Sequence, residues 1–365
     1  MHLGLVCLNA ADFFTPAGRT AGGTERQMVL VARALARRGH TVTFLVRDEP
    51  GLSDPQIRLA AFRPRPGLPR GIGRIADIRR LRRAAGDPPP DCFLSQGAGR
   101  QAVDTGLLAR TVGRPVLFRG GHDDDFLWKT IHRGAWGRFL FRRALRRADA
   151  VIVQTERQRA LARAFAGVDA EVIPDAVELP AEAPPPGDEV LWVGMLRPEK
   201  RAAWVLALAR ALPRARFTVV GGAPAPDLPG AAEAGAFLRE AAALPNVTCA
   251  GYRPPDAVAP FYDRAAVVIN TSVGEGFPNV FLEAWARGRP VVTGGIDPDG
   301  VIARHGLGVC AEGLGAMADA LGRLLEDGHR RREMGAAARR YVETHHAVGP
   351  VLDRYEALFR KLLSR

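Results

Sequence analysis

The sequence predicts an α/β protein of two Rossmann-like domains, each a doubly wound parallel sheet, and three observations carry that prediction. The chain has 365 residues, too many for one ordinary core and enough for two domains of about 150–180 residues. Short apolar runs alternate with helix-length patterns from one end to the other. A polar, proline-rich stretch divides that alternation into two halves.

In chain order the first half offers HLGLVCL, TVTFLV, CFLS, PVLF and AVIVQ as strands, and the second VLWVG, FTVVG, VTCAG, AVVIN and PVVT. Successive runs are separated by segments long enough for a crossover helix, the pattern of parallel sheets covered on both faces. Pro180–Glu189 (PAEAPPPGDE) has no periodicity and is the expected linker. The predicted organisation is a first domain over 1–180, a linker over 181–189 and a second domain over 190–346. Residues 347–365 are expected to return to the first domain through an amphipathic helix at Leu352–Leu363. Open parallel sheets bind ligands beyond the carboxyl ends of their strands, so sites are expected after LVCL, PVLF, LWVG, TCAG and VVIN.

With 47% hydrophobic and 25% charged residues, wholesale disorder is excluded. No apolar run reaches the roughly 18 residues of a membrane-spanning helix. The N-terminal MHLGLVCLNAADFF lacks a leading basic segment and reads as a buried strand, not a signal peptide. Cys7, Cys92, Cys249 and Cys310 form no CxxC pair and suit the reduced thiols of a cytoplasmic protein.

The formal net charge is +12 and lopsided: residues 1–180 hold 29 Lys and Arg against 18 Asp and Glu, the remainder 22 against 21. Only Lys129, Lys200 and Lys361 are lysines, a bias that explains arginine in place of lysine but not the excess in one half. That excess points to an anionic surface partner, nucleic acid or acidic lipid. It concentrates in GIGRIADIRRLRRAA, where Arg70, Arg74, Arg79, Arg80, Arg82 and Arg83 accompany Ile72, Ile75, Ile78 and Leu81 at three-residue spacing. Either this helix lays an amphipathic face on anionic headgroups, or its isoleucines face the domain core.

Three segments behind predicted strands carry the chemistry. In TAGGTERQMVLVARALARRGHTV, Thr24 and Gln27 have capping-box spacing, and Met28, Val31, Ala32 and Leu35 form an apolar stripe. Gly22 and Gly23 then sit at a helix N-terminus, where bare amides and the helix dipole attract phosphate, unless the loop needs only glycine's backbone freedom. In VLWVGMLRPEKR a strand ends at Gly194, and Arg197 and Lys200 follow in the loop. Two cations there suit a diphosphate, the arginine by its fork and the lysine as a point charge, although solvated surface charge would look the same.

The third segment, NTSVGEGFPNVFLEAWARGRPVV, is the most informative. A strand ends near Asn270, Gly274 and Gly276 loosen the turn, and Pro278 suits the first helical position. Glu275 precedes the helix and Glu283 lies inside it, and from Pro278 to Glu283 a helix climbs about 7.5 Å. Two carboxylates so placed suit separate hydroxyl-rich parts of one elongated ligand, with a phosphate at the helix mouth. The apolar surroundings in VFLEAW argue against an ordinary solvated Glu283.

In these features the chain resembles glycosyltransferase family 4: a GG loop before the first helix, a strand followed by a PEK loop, and EGFPNVFLE with its two glutamates. The resemblance covers nearly the whole length and implies the GT-B fold, two Rossmann-like domains facing across a cleft. It also implies a retaining transferase that takes a nucleotide-diphosphate sugar, with no metal and no cofactor. By position, Glu275 would contact the donor sugar and Glu283 the ribose hydroxyls. The backbone of Gly276, Phe277, Pro278, Asn279 and Val280 would touch sugar and phosphate, and Gly22 and Gly23 would complete the donor site. Arg197 and Lys200 would neutralise the departing diphosphate. The family usually has Arg directly after the strand-end glycine; here that residue is Met195, and the role moves two positions on, to Arg197, which faces the same way in an extended segment. In RGGHDDDF, His122 is the nearest match to a family histidine that touches donor sugar and phosphate, while Asp123–Asp125 would be acceptor-facing or fill that role themselves.

The implied function is sugar transfer to a cell-surface glycan precursor or lipid-linked acceptor, of exopolysaccharide or lipopolysaccharide type. The enzyme would be cytoplasmic and peripheral on the inner face of an anionic membrane. Alternatives are a GT-B sugar-nucleotide epimerase, whose carboxylate and histidine set has no evident home here, and a basic nucleic-acid-binding protein, which lacks aromatic stacking clusters. Two local patterns mislead. DDD fits the Asp-x-Asp manganese motif of the other glycosyltransferase fold, which a cationic diphosphate site makes redundant. GAGRQA (Gly97–Ala102) fits a dinucleotide fingerprint, but behind a later strand and without the acidic residue that should follow.

Overall fold

The computed structural model describes residues 1–15, 22–63, 70–127, 134–224 and 229–364. It forms two compact units, Met1–Ala176 with Val348–Arg365, and Val177–Ala347. The chain passes from one to the other at Ala176–Val177, ahead of the proline-rich stretch. That stretch stays with the second unit, where the buried Arg289 donates from Nη2 to the carbonyls of Pro184 at 3.0 Å and Pro185 at 2.8 Å.

The first unit holds strands β1 (His2–Val6), β2 (Thr41–Arg47), β3 (Arg58–Phe62), β4 (Cys92–Gln96), β5 (Val116–Arg119), β6 (Ala150–Val153) and β7 (Glu171–Val172). They form one parallel sheet in the order β3-β2-β1-β4-β5-β6-β7. The second unit holds β8 (Glu189–Val193), β9 (Arg216–Val220), β10 (Val247–Gly251), β11 (Ala265–Asn270), β12 (Val291–Thr293) and β13 (Gly308–Cys310). Their order is β10-β9-β8-β11-β12-β13, again all parallel. The order reverses between β1 and β4 and between β8 and β11, and there a doubly wound sheet opens its ligand crevice. Every residue of β4 and of β11 is buried, as expected of strands covered on both faces.

The first helix, α1 (Gly23–Arg37), buries Met28, Val31, Ala32 and Leu35 as its stripe predicts. Its cap differs from the expectation: Gly22 is the N-cap, and Thr24 with Gln27 makes no capping box. Gln27 is instead buried and clasps one peptide unit of the chain's exit, donating to the Ala176 carbonyl and accepting from the Ala176 amide, both at 2.9 Å. The C-terminal helix Val348–Leu363 packs on α1 with Leu352, Tyr355 and Phe359 buried. Arg38 at the end of α1 donates to its Asp353 at 2.7 Å.

The basic helix α2 (Arg70–Ala85) does not present the face its spacing suggested. Leu81 and Asp77 are buried, Ile78 is half-buried and Ile75 is exposed; Asp77 accepts from Arg100 at 2.9 Å. The apolar residues therefore spiral between core and solvent. The side chains of Arg70, Ile72 and Arg74 lie outside the described residues. The four cysteines are free; Cys7 and Cys92 are buried, Cys310 is half-buried, and Cys249 is exposed on edge strand β10 instead of in a core. Burial pushes the Cys92 thiol up to about 12.

Candidate functional site

At the order reversal of the second sheet, the loops leaving β8 and β11 are riveted together. Beyond β8 the chain makes one 3-10 turn, Pro198–Lys200, and Arg201 adopts a left-handed φ of 46°. Arg201 then reaches the loop after β11, donating from Nε to the Thr271 carbonyl at 2.6 Å and from Nη2 to the Ser272 carbonyl at 2.9 Å. Its guanidinium lies 4.0 Å from the ring centroid of Trp204, a cation–π contact. Thr271 completes the joint, donating from Oγ1 to the Lys200 carbonyl at 2.5 Å and accepting from Trp192 Nε1 at 3.0 Å.

This joint places Lys200 Nζ on Glu275 Oε1, which also accepts from Ser272 Oγ at 2.7 Å. The lysine side chain is 29% exposed and the glutamate 14%, so a cation and a carboxylate are fixed at a half-open surface. Sequence reasoning placed Lys200 and Glu275 in one site but missed Arg201, Thr271 and Ser272. Nothing local marks Arg201 and Thr271, because their partners lie about 70 residues away in the chain; Ser272 binds Glu275 only three residues on, but its spacing matches no motif.

Arg197 is exposed, and its guanidinium has no partner among the described residues. Leu196 between it and Met195 is buried, so Met195 and Arg197 both turn outward. The helix after Glu275 runs Asn279–Ala286, with Pro278 as its extended N-cap (ψ 121°), so it begins one position later than expected. The Phe277 ring is buried against Trp285 and His346, at centroid distances of 6.1 and 4.8 Å, so the polar handle it has for a ligand is its backbone. Gly276 and Pro278 are buried, and Asn279 and Val280 half-buried. The first-turn amides of a helix have no acceptor within it, which makes this end a place for anionic or hydroxyl oxygens. Inside the helix, Glu283 accepts from Arg287 Nη1 at 2.9 Å, and Arg287 also holds Asp263 at 3.0 Å. The Glu283 side chain is 12% exposed, confirming that it is no ordinary solvated glutamate.

In the first unit, the RGGHDDDF loop is a tight turn held by its own polar groups. Asp125 is buried and accepts from the amides of Gly121 at 2.7 Å and His122 at 3.2 Å. Burial pushes its carboxyl up and those two amides hold it back. Asp123 pairs with Arg157 at 2.7 Å. His122 Nδ1 lies 3.1 Å from the Asp124 amide, which donates to it, and 3.4 Å from the Asp124 carboxylate. Gly121 is required by close approach, because a Cβ there would lie 2.3 Å from Thr24 Cγ2. Among the described residues no cluster of three or more His, Cys, Asp or Glu is placed to hold a metal ion.

Two anion or nucleotide readings in this unit meet occupied space. A Cβ on Gly22 would sit 2.3 Å from Glu25 Oε2, so a carboxylate of the chain itself lies over the α1 mouth that Gly22 and Gly23 were expected to offer to phosphate. At the β1/β4 reversal, Gln101 of the GAGRQA segment donates to the carbonyls of Val6 at 3.0 Å and Gln96 at 2.6 Å and accepts from the Leu8 amide at 2.8 Å. It ties the carboxyl ends of β1 and β4 together.

Comparison with known proteins is consistent along the whole chain. Residues 21–179 match the model of Glycosyltransferase Family 4, and residues 187–327 that of Glycosyl transferases group 1. A comparison with curated proteins finds no match. Among solved structures, sucrose-phosphate synthase from Thermosynechococcus elongatus is similar at a TM-score of 0.81 and 20% identity, over 100% of this chain and 99% of that one. HepE from Anabaena, solved with UDP and glucose, is similar at 0.77 and 16%, over 99% and 100%. The lipopolysaccharide outer core galactosyltransferase WaaB follows at 0.65 and 15%, also over 99% and 100%. Matched in both halves by family models and in both sheets by these folds, the chain belongs to glycosyltransferase family 4 and is a glycosyltransferase of the GT-B fold.

Proposed function

We propose that the enzyme is a retaining, metal-independent transferase. It moves a sugar from a nucleoside diphosphate sugar to a cell-surface glycan or lipid-linked acceptor, in synthesis of the exopolysaccharide or lipopolysaccharide type. The carrying observation is the Lys200–Glu275–Ser272 cluster, fixed where the strand order of the second sheet reverses. As the bond from the sugar C1 to the diphosphate oxygen breaks, negative charge gathers on the leaving group. Lys200, held in place on Glu275, and the outward-turned Arg197 meet that charge. Glu275 holds the sugar, Glu283 the ribose, and the amides at the start of the Asn279–Ala286 helix hold sugar and phosphate. His122 meets the donor sugar and phosphate through its ring. A thermal-shift panel of UDP, GDP and ADP sugars tests the reading: one series raises Tm if it holds, and no shift with any of them would sink it.

Lys200→Ala and Arg197→Ala are each expected to lower turnover by about tenfold or more, with Met195→Ala nearly silent. A silent Arg197→Ala, measured in the same assay, returns that arginine to plain surface charge. Activity is expected to be unchanged by EDTA. Loss on chelation with rescue by manganese would reinstate Asp123–Asp125 as a metal site, against their present engagement with Arg157 and the Gly121 and His122 amides.

A peripheral position on an anionic membrane is the second part of the reading, and it rests on one surface. No helix among the described residues is long and apolar enough to cross a membrane. Yet the exposed large apolar side chains described in the first unit are Ile75, Leu107, Trp136 and Phe139. They lie on α2, α3 (Arg100–Thr111) and α4 (Gly134–Arg146), helices that pack side by side. Trp136 is 70% exposed and Phe139 52%, their rings stacked at 5.5 Å. Arg110 of α3 and Arg143 of α4 lie within Coulomb reach of Arg147 beside them. Aromatic side chains among arginines suit an anionic interface, and α4 meets that description better than α2. The protein is expected to co-sediment with anionic but not neutral vesicles and to be released by salt near ~0.5 M. Trp136→Ala with Phe139→Ala should weaken sedimentation without changing nucleoside diphosphate affinity. Equal sedimentation with both vesicle types, or with neither, removes the membrane from the reading and leaves the transferase intact.

A further inference from the structure

At the opposite end of the second sheet's strands from Lys200 and Glu275 lies a cavity of about 470 Å³. Ala266 and Pro290, buried at the N-terminal ends of β11 and β12, line its inner side. The length of β11, about 16 Å at roughly 3.3 Å per residue, separates it from the catalytic loops. One wall is a stripe of the helix Gly328–His345, and another is the turn around Gly288. The two are pressed together, since a Cβ on Gly335 would lie 2.1 Å from the Gly288 carbonyl oxygen.

The lining is strongly cationic, and its carboxylate partners are fewer than its arginines. Arg287, Arg289, Arg331, Arg332, Arg339 and Arg340 line it, and no Asp or Glu does among the described residues. Arg287 and Arg339 have carboxylate partners outside the cavity, Glu283 with Asp263 and Glu343. Arg289 and Arg331 donate to backbone carbonyls, of Tyr262, Asp263, Pro184 and Pro185 and of Leu324 and Leu325. Carbonyls orient a guanidinium but leave its charge in place. Arg332 and Arg340 have no side-chain partner among the described residues. Two of these groups converge: the point where a Cβ on Gly328 would stand is 3.5 Å from Arg331 Nη2 and 3.5 Å from Arg332 Nη1. Two like charges no more than about 7 Å apart repel one another, an anion between them relieves that repulsion, and the guanidinium fork matches phosphate oxygens.

We propose that this cavity is a second ligand site, for a soluble small molecule carrying adjacent negative charges, a phosphorylated metabolite being the chemical match. It does not rest on the reading of the catalytic loops. Calorimetric titration of the full chain with inorganic pyrophosphate at constant ionic strength tests it, using wild type, Arg332→Gln/Arg340→Gln and Lys200→Ala. Both cavity arginines are exposed and unpartnered, so their replacement should leave Tm unchanged. The expected result is a binding event that the double variant weakens at least tenfold and that Lys200→Ala retains. Absence of binding by the wild type, an event unchanged in the double variant, or its complete loss in Lys200→Ala would each overturn the proposal.

Discussion

Replacing Glu283 by alanine is expected to abolish donor binding, while Glu275→Gln should retain binding and slow transfer. Glu283 sits in the second turn of the Asn279–Ala286 helix with its side chain 12% exposed, and Arg287 holds its Oε2 at 2.9 Å. A carboxylate fixed in this way presents its remaining lone pairs in one direction, as vicinal ribose hydroxyls require. Hydrogen bonds to a charged acceptor contribute about 1.5–3 kcal/mol each, so losing two lowers affinity by roughly two to four orders of magnitude. Asp263 still accepts from Arg287 after the substitution, at 3.0 Å, so the helix keeps its anchor and the loss is not a folding defect. Nucleoside diphosphate affinity within about twofold of wild type, under roughly 0.4 kcal/mol, would show that Glu283 does not hold the ribose. Glu275 is different in kind, because it is shared between Lys200 and Ser272. An isosteric amide keeps the Ser272 contact and removes the charge that positions the lysine.

Asp175→Ala is expected to be the most destabilising single change in the first unit. Arg119, at the end of β5, is 1% exposed and bonds Asp175 through Nη2 and the Tyr355 hydroxyl through Nε at 2.7 Å. Gln154 donates to both Asp175 oxygens, at 3.1 and 3.0 Å. Burial pushes the Asp175 carboxyl up, and the guanidinium opposes that by favouring the charged form. Removing the carboxylate strands a buried cation, which costs about 3–5 kcal/mol. At ~2–4 °C of Tm per kcal/mol for a unit of this size, the first unfolding transition should fall by roughly 6–20 °C. Because Tyr355 belongs to the C-terminal helix, that helix should become the readier target of limited proteolysis. Asp175→Leu combined with Arg119→Met, which removes both charges, should recover much of the loss. An unchanged Tm in Asp175→Ala would mean that the pair contributes nothing to the docking of the last helix.

Much of this architecture was legible because it depends on local pattern. All ten predicted strands are present, each a run of apolar residues between helical patterns. The three that were not predicted, β3, β7 and β13, are each the outermost strand of a sheet or next in line at an edge, and two of them are only two or three residues long. Edge strands need less apolar length because one side has no neighbour, so periodicity is a weak signal there. The loop pair Lys200 and Glu275 was equally legible, since strand ends mark where a parallel sheet can bind.

What the sequence determined by itself was the α/β class, ten of the strands, and the loops that carry the chemistry, because apolar period and strand–loop punctuation are written residue by residue. The tertiary structure alone decided which polar residues serve the fold and which remain to meet a ligand. Gln27 had the spacing of a helix cap and became a clasp on Ala176. Gln101 sat in a dinucleotide-like motif and became a stitch between β1 and β4. Asp125 belonged to a metal-like triplet and became the acceptor of the Gly121 and His122 amides, while Arg201, beside Lys200, became the rivet between two loops. The physical reason is common to all four. A buried backbone amide or carbonyl must find a partner, and that partner is set by proximity in space, which residues far apart in the chain acquire only once the sheets have formed.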